Sequence, residues 1–287
     1  MQLGFIGFGE VAYELATGFR QEGLSGIVAY DPMRDDATLG SLVGERAAKS
    51  RVTLLDSAAD VSERSEVVIA AVPGSKAVAA AEQAVRRLGR GKIYADVSTS
   101  SPTAKKTISV SVEASGAQFV DGALMGALTL LRHKVPTLIS GSGSDRFLML
   151  MSPLGMALEK VSDVPGDAVA VKLVRSIYMK GIASLAVEML QAASVLGVAP
   201  RVIDSISATM DGKPFAEMMN FLVVAGGIHA ERQAHEMRDV MAMMAELEVD
   251  SSMTKGTLGW LEWLASKKLK EKFQGQKPET WEHLEIF

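Results

Sequence analysis

Short apolar, β-branched runs alternate with longer amphipathic stretches through the first half of the chain. The runs are LGFIG from Leu3, GIVAY from Gly26, RVTLL from Arg51, EVVIAAV from Glu66, KIYADV from Lys92, AQFVDG from Ala117 and PTLISG from Pro136. Such alternation predicts β-α-β units on a mostly parallel sheet. VVIAAV is apolar at every position, as expected where helices cover both faces of a sheet. The texture changes near Pro165. From Asp167 to Leu196 there is no proline and only one glycine, Gly181, which predicts a single helix about 45 Å long. Everything after it also reads as helix, including IDSISATM, the stretch from Pro214 to Leu247, and SSMTKGTLGWLEWLASKKLKEKF. The expected fold is α/β: a doubly wound, mostly parallel N-terminal domain over residues 1–162, then an all-α domain over 163–287, joined by a long helix at about 167–196. That helix carries Val169, Leu173, Ile177, Leu185, Val187, Met189 and Leu190 in several directions. It needs burial on nearly all sides, which a homodimer formed through the helical domain would supply.

Composition narrows the classes. A 287-residue chain that is 48% hydrophobic and 22% charged has the apolar material for one large or two ordinary domains. Its formal net charge is -4 with no basic stripe, so a small molecule is a better partner than a nucleic acid. There is no cysteine, hence no disulfide frame, thiolate nucleophile or Cys-ligated metal. The longest stretch without Asp, Glu, Lys or Arg is the 13 residues from Met218 to Ala230, short of the roughly 18 to 20 that span a bilayer. No membrane partner is expected. Met1 leads straight into a predicted strand with no leader-like segment, and a reducing cytoplasm is the expected location.

The first candidate for chemistry is the turn after LGFI. Gly7, Gly9 and Ala12 form a G-x-G-x-x-A pattern that opens a helical run from Glu10. The first glycine permits the tight turn, the second lets a pyrophosphate approach the backbone, and the alanine allows close helix packing. The free amides at the helix start then face the phosphates. A turn of this kind, Gly7-Phe8-Gly9-Glu10-Val11, fits the Rossmann mode of dinucleotide binding. Asp31 ends the second strand, where a carboxylate accepts from the adenosine ribose 2′-hydroxyl and disfavours a 2′-phosphate. NAD is therefore expected, with NADP possible because Arg34 stands three residues on. The alternative for Asp31 is an ordinary turn residue before Pro32.

Catalytic groups are to be sought at the carboxyl ends of strands and beyond. AAVPGSK ends the fourth strand at Val72-Pro73, and DVSTSSP ends the fifth, presenting Ser98 and Thr99. Ser100 or Ser101 before Pro102 also suits a helix cap. In the long helix, Lys172, Ser176 and Lys180 share one face. Lys172 reads either as a snorkelling surface lysine or as a general acid/base.

Taken in order, G-x-G-x-x-A, VP, DVSTSSP, FVDGALMG and KLVRS resemble the β-hydroxyacid dehydrogenase family, which includes 3-hydroxyisobutyrate and 6-phosphogluconate dehydrogenases. The likeness covers residues 1 to about 200. It implies an NAD(P)-dependent oxidoreductase acting on a small hydroxy acid or alcohol, with Lys172 as catalytic lysine and Ser98 and Thr99 in the substrate-binding turn. The region after residue 172 is similar to the helical domain of 6-phosphogluconate dehydrogenase. Two departures bear on substrate. Met125-Gly126-Ala127 stands where the family has Ser-Gly-Gly for a substrate carboxylate, and Ser176 stands where it has asparagine. With Met125 and Gly126 at the pocket, apolar contact replaces hydrogen bonds, which argues against a phosphorylated sugar acid. Imine reduction on the same architecture, and non-catalytic nucleotide binding by a dimeric protein, are the rival readings.

The remaining signals are weaker. The four histidines lack the spacing of a helical metal pair, and no metal is expected. Arg232 reads as a surface partner of Glu236, or as a substrate-carboxylate ligand. The 16 methionines suit adaptable core packing, and WEHLEIF reads as a tail docked on a neighbour.

Overall fold

The computed structural model describes residues Met1 to Ile286; Phe287, the last letter of the WEHLEIF tail, lies outside the described residues. The first part runs β1 (Leu3–Ile6), α1 (Glu10–Gln21), β2 (Val28–Tyr30), α2 (Gly40–Ser50), β3 (Thr53–Leu54), α3 (Ala58–Arg64), β4 (Val67–Ala70), α4 (Ala77–Ala84), β5 (Ile93–Asp96), α5 (Pro102–Ala114) and β6 (Gln118–Leu124). It continues through α6 (Leu128–Leu131), β7 (Thr137–Ser140), α7 (Ser144–Met151) and β8 (Leu158–Ser162). Helices follow to the end: α8 (Asp167–Val195), α9 (Ala199–Met210), α10 (Phe215–Ile228), α11 (Ala230–Glu246), α12 (Ser252–Ser266) and α13 (Leu269–Lys272).

The eight strands form one sheet in the order β3-β2-β1-β4-β5-β6-β7-β8. All neighbours are parallel except β6 and β7, which run antiparallel with Asp121 opposite Ser140 and Leu124 opposite Thr137. Side chains of a strand alternate between faces, and here both faces are buried. Leu3, Phe5, Val67, Ile69, Ile93 and Ala95 enter one apolar cluster, whereas Ile6, Val68, Ala70 and Tyr94 enter the other. This accounts for the unbroken apolar runs that announced the strands. β8 was not among the predicted strands. It is an edge strand, LEKVS, whose charged residues are partly or fully exposed, so it lacks both the apolar run and a clean alternation.

Two compact units divide the chain, Met1–Ser176 and a second beginning at Ile177. The start of α8, with Lys172 and Ser176, thus packs as part of the sheet unit. Within the second unit, Glu188 caps α12: its carboxylate accepts the backbone N–H of Met253 at 2.6 Å and of Thr254 at 2.8 Å, and the Thr254 hydroxyl at 2.6 Å. Burial opposes the charge on Glu188, yet these hydrogen bonds outweigh it and hold the carboxyl below its ordinary range. The long apolar stretch from Pro214 breaks at His229 into α10 and α11, where the backbone leaves helical geometry. The terminal tail docks on its own chain rather than on a neighbour, with Leu284 fully buried against Ile228 and Leu269. Among the described residues, no helix is long and apolar enough to cross a membrane.

Candidate functional site

Gly7 sits at φ 82°, left-handed geometry that a residue with a Cβ adopts only under strain. Its N–H donates to the Tyr30 carbonyl at 2.8 Å, tying the turn to β2. A Cβ there would lie 2.6 Å from the Ala71 carbonyl and 2.7 Å from Val72. Gly9, by contrast, has nothing within 4 Å of where its Cβ would be, and it lines a cavity of about 370 Å³. Gly9 is also the cap residue of α1, and no side chain caps that end. The first-turn amides of α1 have no intrahelical acceptors. The result is a backbone cradle with a positive helix end, closed by no side chain, which fits the diphosphate of a dinucleotide.

Phe8 is not a pocket residue; its ring is fully buried in the core, and its backbone N–H donates to Asp31 Oδ2 at 2.6 Å. Asp31 Oδ1 accepts the Met33 N–H at 2.8 Å. The carboxylate that sequence assigned to ribose recognition is therefore fixed by two backbone donors, one from the glycine turn itself. Each oxygen keeps a further lone pair. Arg34 is turned away from such a role, donating to the Leu55 carbonyl at 3.1 Å and the Asp56 carboxylate at 3.0 Å.

The same cavity gathers residues from four strand ends. Gly9, Glu10 and Val11 come after β1, Val72 and Pro73 after β4, Ser98 and Thr99 after β5, Leu124 from β6, and Lys172 from the second turn of α8. The loops after β4 and β5 approach closely, because a Cβ on Gly74 would stand 2.6 Å from the Thr99 carbonyl. Ser98 is buried, its N–H donates to Asp96 Oδ1 at 2.9 Å, and its hydroxyl has no protein partner among the described residues. A buried hydroxyl at a cavity wall without a partner is a group available to a ligand. Thr99 is exposed and Lys172 is half-buried. The helix cap role falls to Ser101, whose hydroxyl accepts the Ala104 N–H at 3.1 Å, which leaves Ser98 and Thr99 unencumbered by capping.

Other sequence candidates lie outside the cavity lining. Gly7 and Asp31 shape the turn from behind. Met125 is half-buried and Gly126 exposed, at the start of the loop beyond Leu124. The Ser176 hydroxyl donates to the Lys172 carbonyl at 2.9 Å, a bond within its own helix. Arg232, in the second unit, is exposed, paired with Glu236, and lines a separate hollow of about 620 Å³. One feature escaped the sequence reading: Lys105, fully buried between Asp96 and Asp121. A lysine four residues after a helix cap carries no mark of burial. The only hint is an aspartate near the end of each of two consecutive predicted runs, KIYADV and AQFVDG.

Residues 193–264 match the family called Domain of unknown function (DUF1932). A solved conserved protein of unknown function, noted for its similarity to 3-hydroxyacid dehydrogenases, is 32% identical with a TM-score of 0.63, over 94% of this chain and 99% of that one. The human mitochondrial 3-hydroxyisobutyrate dehydrogenase is 25% identical across 76% of this chain, a match spanning 61% of that enzyme's length. An imine reductase from Myxococcus stipitatus, solved with NADP+, shares the fold with a TM-score of 0.73 at 18% identity, over 93% of this chain and 94% of that one. Residues 2–154 match the NAD binding domain of 6-phosphogluconate dehydrogenase, and the chain belongs to that family.

Proposed function

We propose that this protein is an NAD(P)-dependent dehydrogenase or reductase of the hydroxyacid dehydrogenase type, acting on a small hydroxy acid or alcohol in a reducing cytoplasm. The observation that carries the reading is the single cavity lined by the glycine turn, by Ser98 and Thr99, and by Lys172. The bound nicotinamide supplies the hydride acceptor or donor. Gly9, Glu10 and Val11 would hold the diphosphate through their backbone, Val72 and Pro73 would line the nicotinamide end of the cavity, and Asp31 would favour NAD over NADP by repelling a 2′-phosphate. The Ser98 hydroxyl and Thr99 orient the substrate. In oxidation, Lys172 in its neutral form takes the hydroxyl proton while a hydride leaves the carbon bearing that hydroxyl, giving a carbonyl. In reduction, the ammonium returns that proton to the oxygen. Ser176 supports Lys172 through its helix rather than by reaching the substrate.

The test is a panel of 3-hydroxy acids with both cofactors, on wild type and Lys172→Ala. Turnover is expected to fall roughly 100-fold or more in the variant, the scale of a lost general acid/base, with dinucleotide affinity unchanged. Equal turnover would remove Lys172 from the mechanism. A second reading, imine reduction, draws on the apolar wall of Val11, Val72, Val97 and Leu124 and on the absent Ser-Gly-Gly carboxylate loop. Cyclic imines in the same panel separate the two.

The helical part is proposed to form a homodimer. Along α8, Ile177 is 74% and Val187 59% exposed in the single chain, a large apolar face for water to cover. Light scattering at micromolar concentration tests it, and a monomer would refute it.

A further inference from the structure

Three buried charges lie between the two halves of the candidate site, and the chemistry above uses none of them. Lys105, Asp96 and Asp121 are each fully buried. Asp96 and Asp121 are register partners on the adjacent parallel strands β5 and β6, so their carboxylates stand side by side, both closed off from the protein surface. The Lys105 ammonium, reaching back from α5, donates to the Asp96 carbonyl at 2.6 Å and pairs with Asp96 Oδ2 and Asp121 Oδ1 at 3.1 Å each. The two carboxylate contacts are ionic rather than well-directed hydrogen bonds, since neither oxygen has a geometric hydrogen-bond donor.

What each aspartate does with its other oxygen is informative. Asp96 Oδ1 accepts the Ser98 N–H at 2.9 Å and so shapes the turn presenting Ser98 and Thr99. Asp121 Oδ2 accepts the Val169 N–H at 3.0 Å in the first turn of α8, and the neighbouring Ala168 N–H donates to the Ser140 hydroxyl at 3.1 Å. Lys172 stands one turn further along that helix. One cation therefore clamps two anions, of which one fixes the substrate turn and the other fixes the start of the helix carrying the lysine. A buried ion triad is a poor way to gain stability, because apolar replacements of similar volume often do as well. Its value lies in the geometry it enforces.

We propose that Lys105 is a positioning residue, which through Asp96 and Asp121 sets the distance between the Ser98–Thr99 turn and Lys172. The inference rests on the assignment of Lys172 above. The experiment therefore includes one readout that needs no turnover.

Lys105→Met and Lys105→Arg are compared with wild type in three measurements: dinucleotide affinity by calorimetry with NAD+, kcat and KM on whichever 3-hydroxy acid or imine wild type converts, and the rate at which N-hydroxysuccinimide acetate labels Lys172 relative to exposed Lys255, by mass spectrometry. For Lys105→Met the expected result is a kcat lowered about 10- to 100-fold, the scale of a sub-ångström to 1 Å misplacement, with KM within about 3-fold. NAD+ affinity is kept, and relative labelling of Lys172 changes at least 3-fold. Lys105→Arg, which keeps the cation, is expected to recover most of both effects. Unchanged labelling and kcat in folded Lys105→Met would overturn the proposal. If no substrate is turned over by wild type, the functional reading fails while labelling still decides the positioning role. Should Lys105→Met not fold, Asp121→Asn, which keeps the side-chain volume and withdraws one anion, takes its place. The same labelling shift supports the proposal, and its absence overturns it.

Discussion

Adding one methyl group at each of the two turn glycines should separate architecture from ligand binding. At Gly7 the new Cβ forces left-handed geometry at φ 82°, costing about 1–2 kcal/mol. It also meets the Ala71 carbonyl at 2.6 Å and Val72 at 2.7 Å, and the carbonyl belongs to backbone held by the Ala71 N–H bond to the Ile6 carbonyl. Relieving that overlap costs about another 1–3 kcal/mol. Gly7→Ala is thus expected to lose roughly 2–5 kcal/mol. At Gly9, φ is -75° and no atom lies within 4 Å of the added Cβ, so the fold should lose less than about 1 kcal/mol. The methyl instead projects into the space assigned to the diphosphate. Gly9→Ala should weaken NAD+ binding at least about 10-fold, or 1.4 kcal/mol. All three tryptophans, Trp260, Trp263 and Trp281, belong to the second unit, so fluorescence would follow the wrong part of the molecule. Hydrogen exchange of peptides covering β1 and β4 reports the stability of the turn, and calorimetry reports the affinity. Wild-type affinity in Gly9→Ala would refute the placement of the diphosphate, and wild-type stability in Gly7→Ala would refute the packing argument.

Other outcomes follow from the same contacts. Asp31→Ala should lower NAD+ affinity and narrow the gap to NADP+, as measured by parallel titrations; an unchanged ratio would remove Asp31 from cofactor selection. Burial holds His133 below its ordinary value of 6.5, with Glu22 only partly restoring it. The folded protein therefore favours the neutral ring. Its contribution is intact above about pH 6.5 and is lost as pH falls below, with a slope of at most about 1.4 kcal/mol per pH unit. His133→Phe, which keeps a ring against Phe19, should flatten that slope in acid titrations of the first unit. Glu188→Ala should cost roughly 1–3 kcal/mol of second-unit stability, read by tryptophan fluorescence in urea, because the α12 cap is lost.

Strands buried on both faces were legible because burial leaves an apolar run, and β1, β2 and β4 to β7 announced themselves in this way, while the edge strand β3 was read from RVTLL although Thr53 is exposed and Leu54 half-buried. β8 did not, since an edge strand bearing Glu159 and Lys160 shows no such run. The glycine turn was readable because geometry restricts which residue fits at Gly7. Lys172 was readable only by spacing and resemblance. That it lines the same cavity as Ser98 depends on helix packing that no local pattern encodes. The same limit hid Lys105, whose partners lie on the strands just before and after its own helix and meet it only through the packing of that helix on the sheet. The apolar surface of α8 was legible as a demand for burial, and the single chain leaves that demand unmet at Ile177 and Val187.

The most direct test is a crystal structure with NAD+ and a hydroxy acid or imine found to be turned over. The nicotinamide should lie in the cavity between Val72 and Ser98, with the Lys172 amine about 2.6–3.2 Å from the reacting oxygen or nitrogen. A ring bound elsewhere, or an amine turned into solvent with another group at that atom, would contradict the assignment.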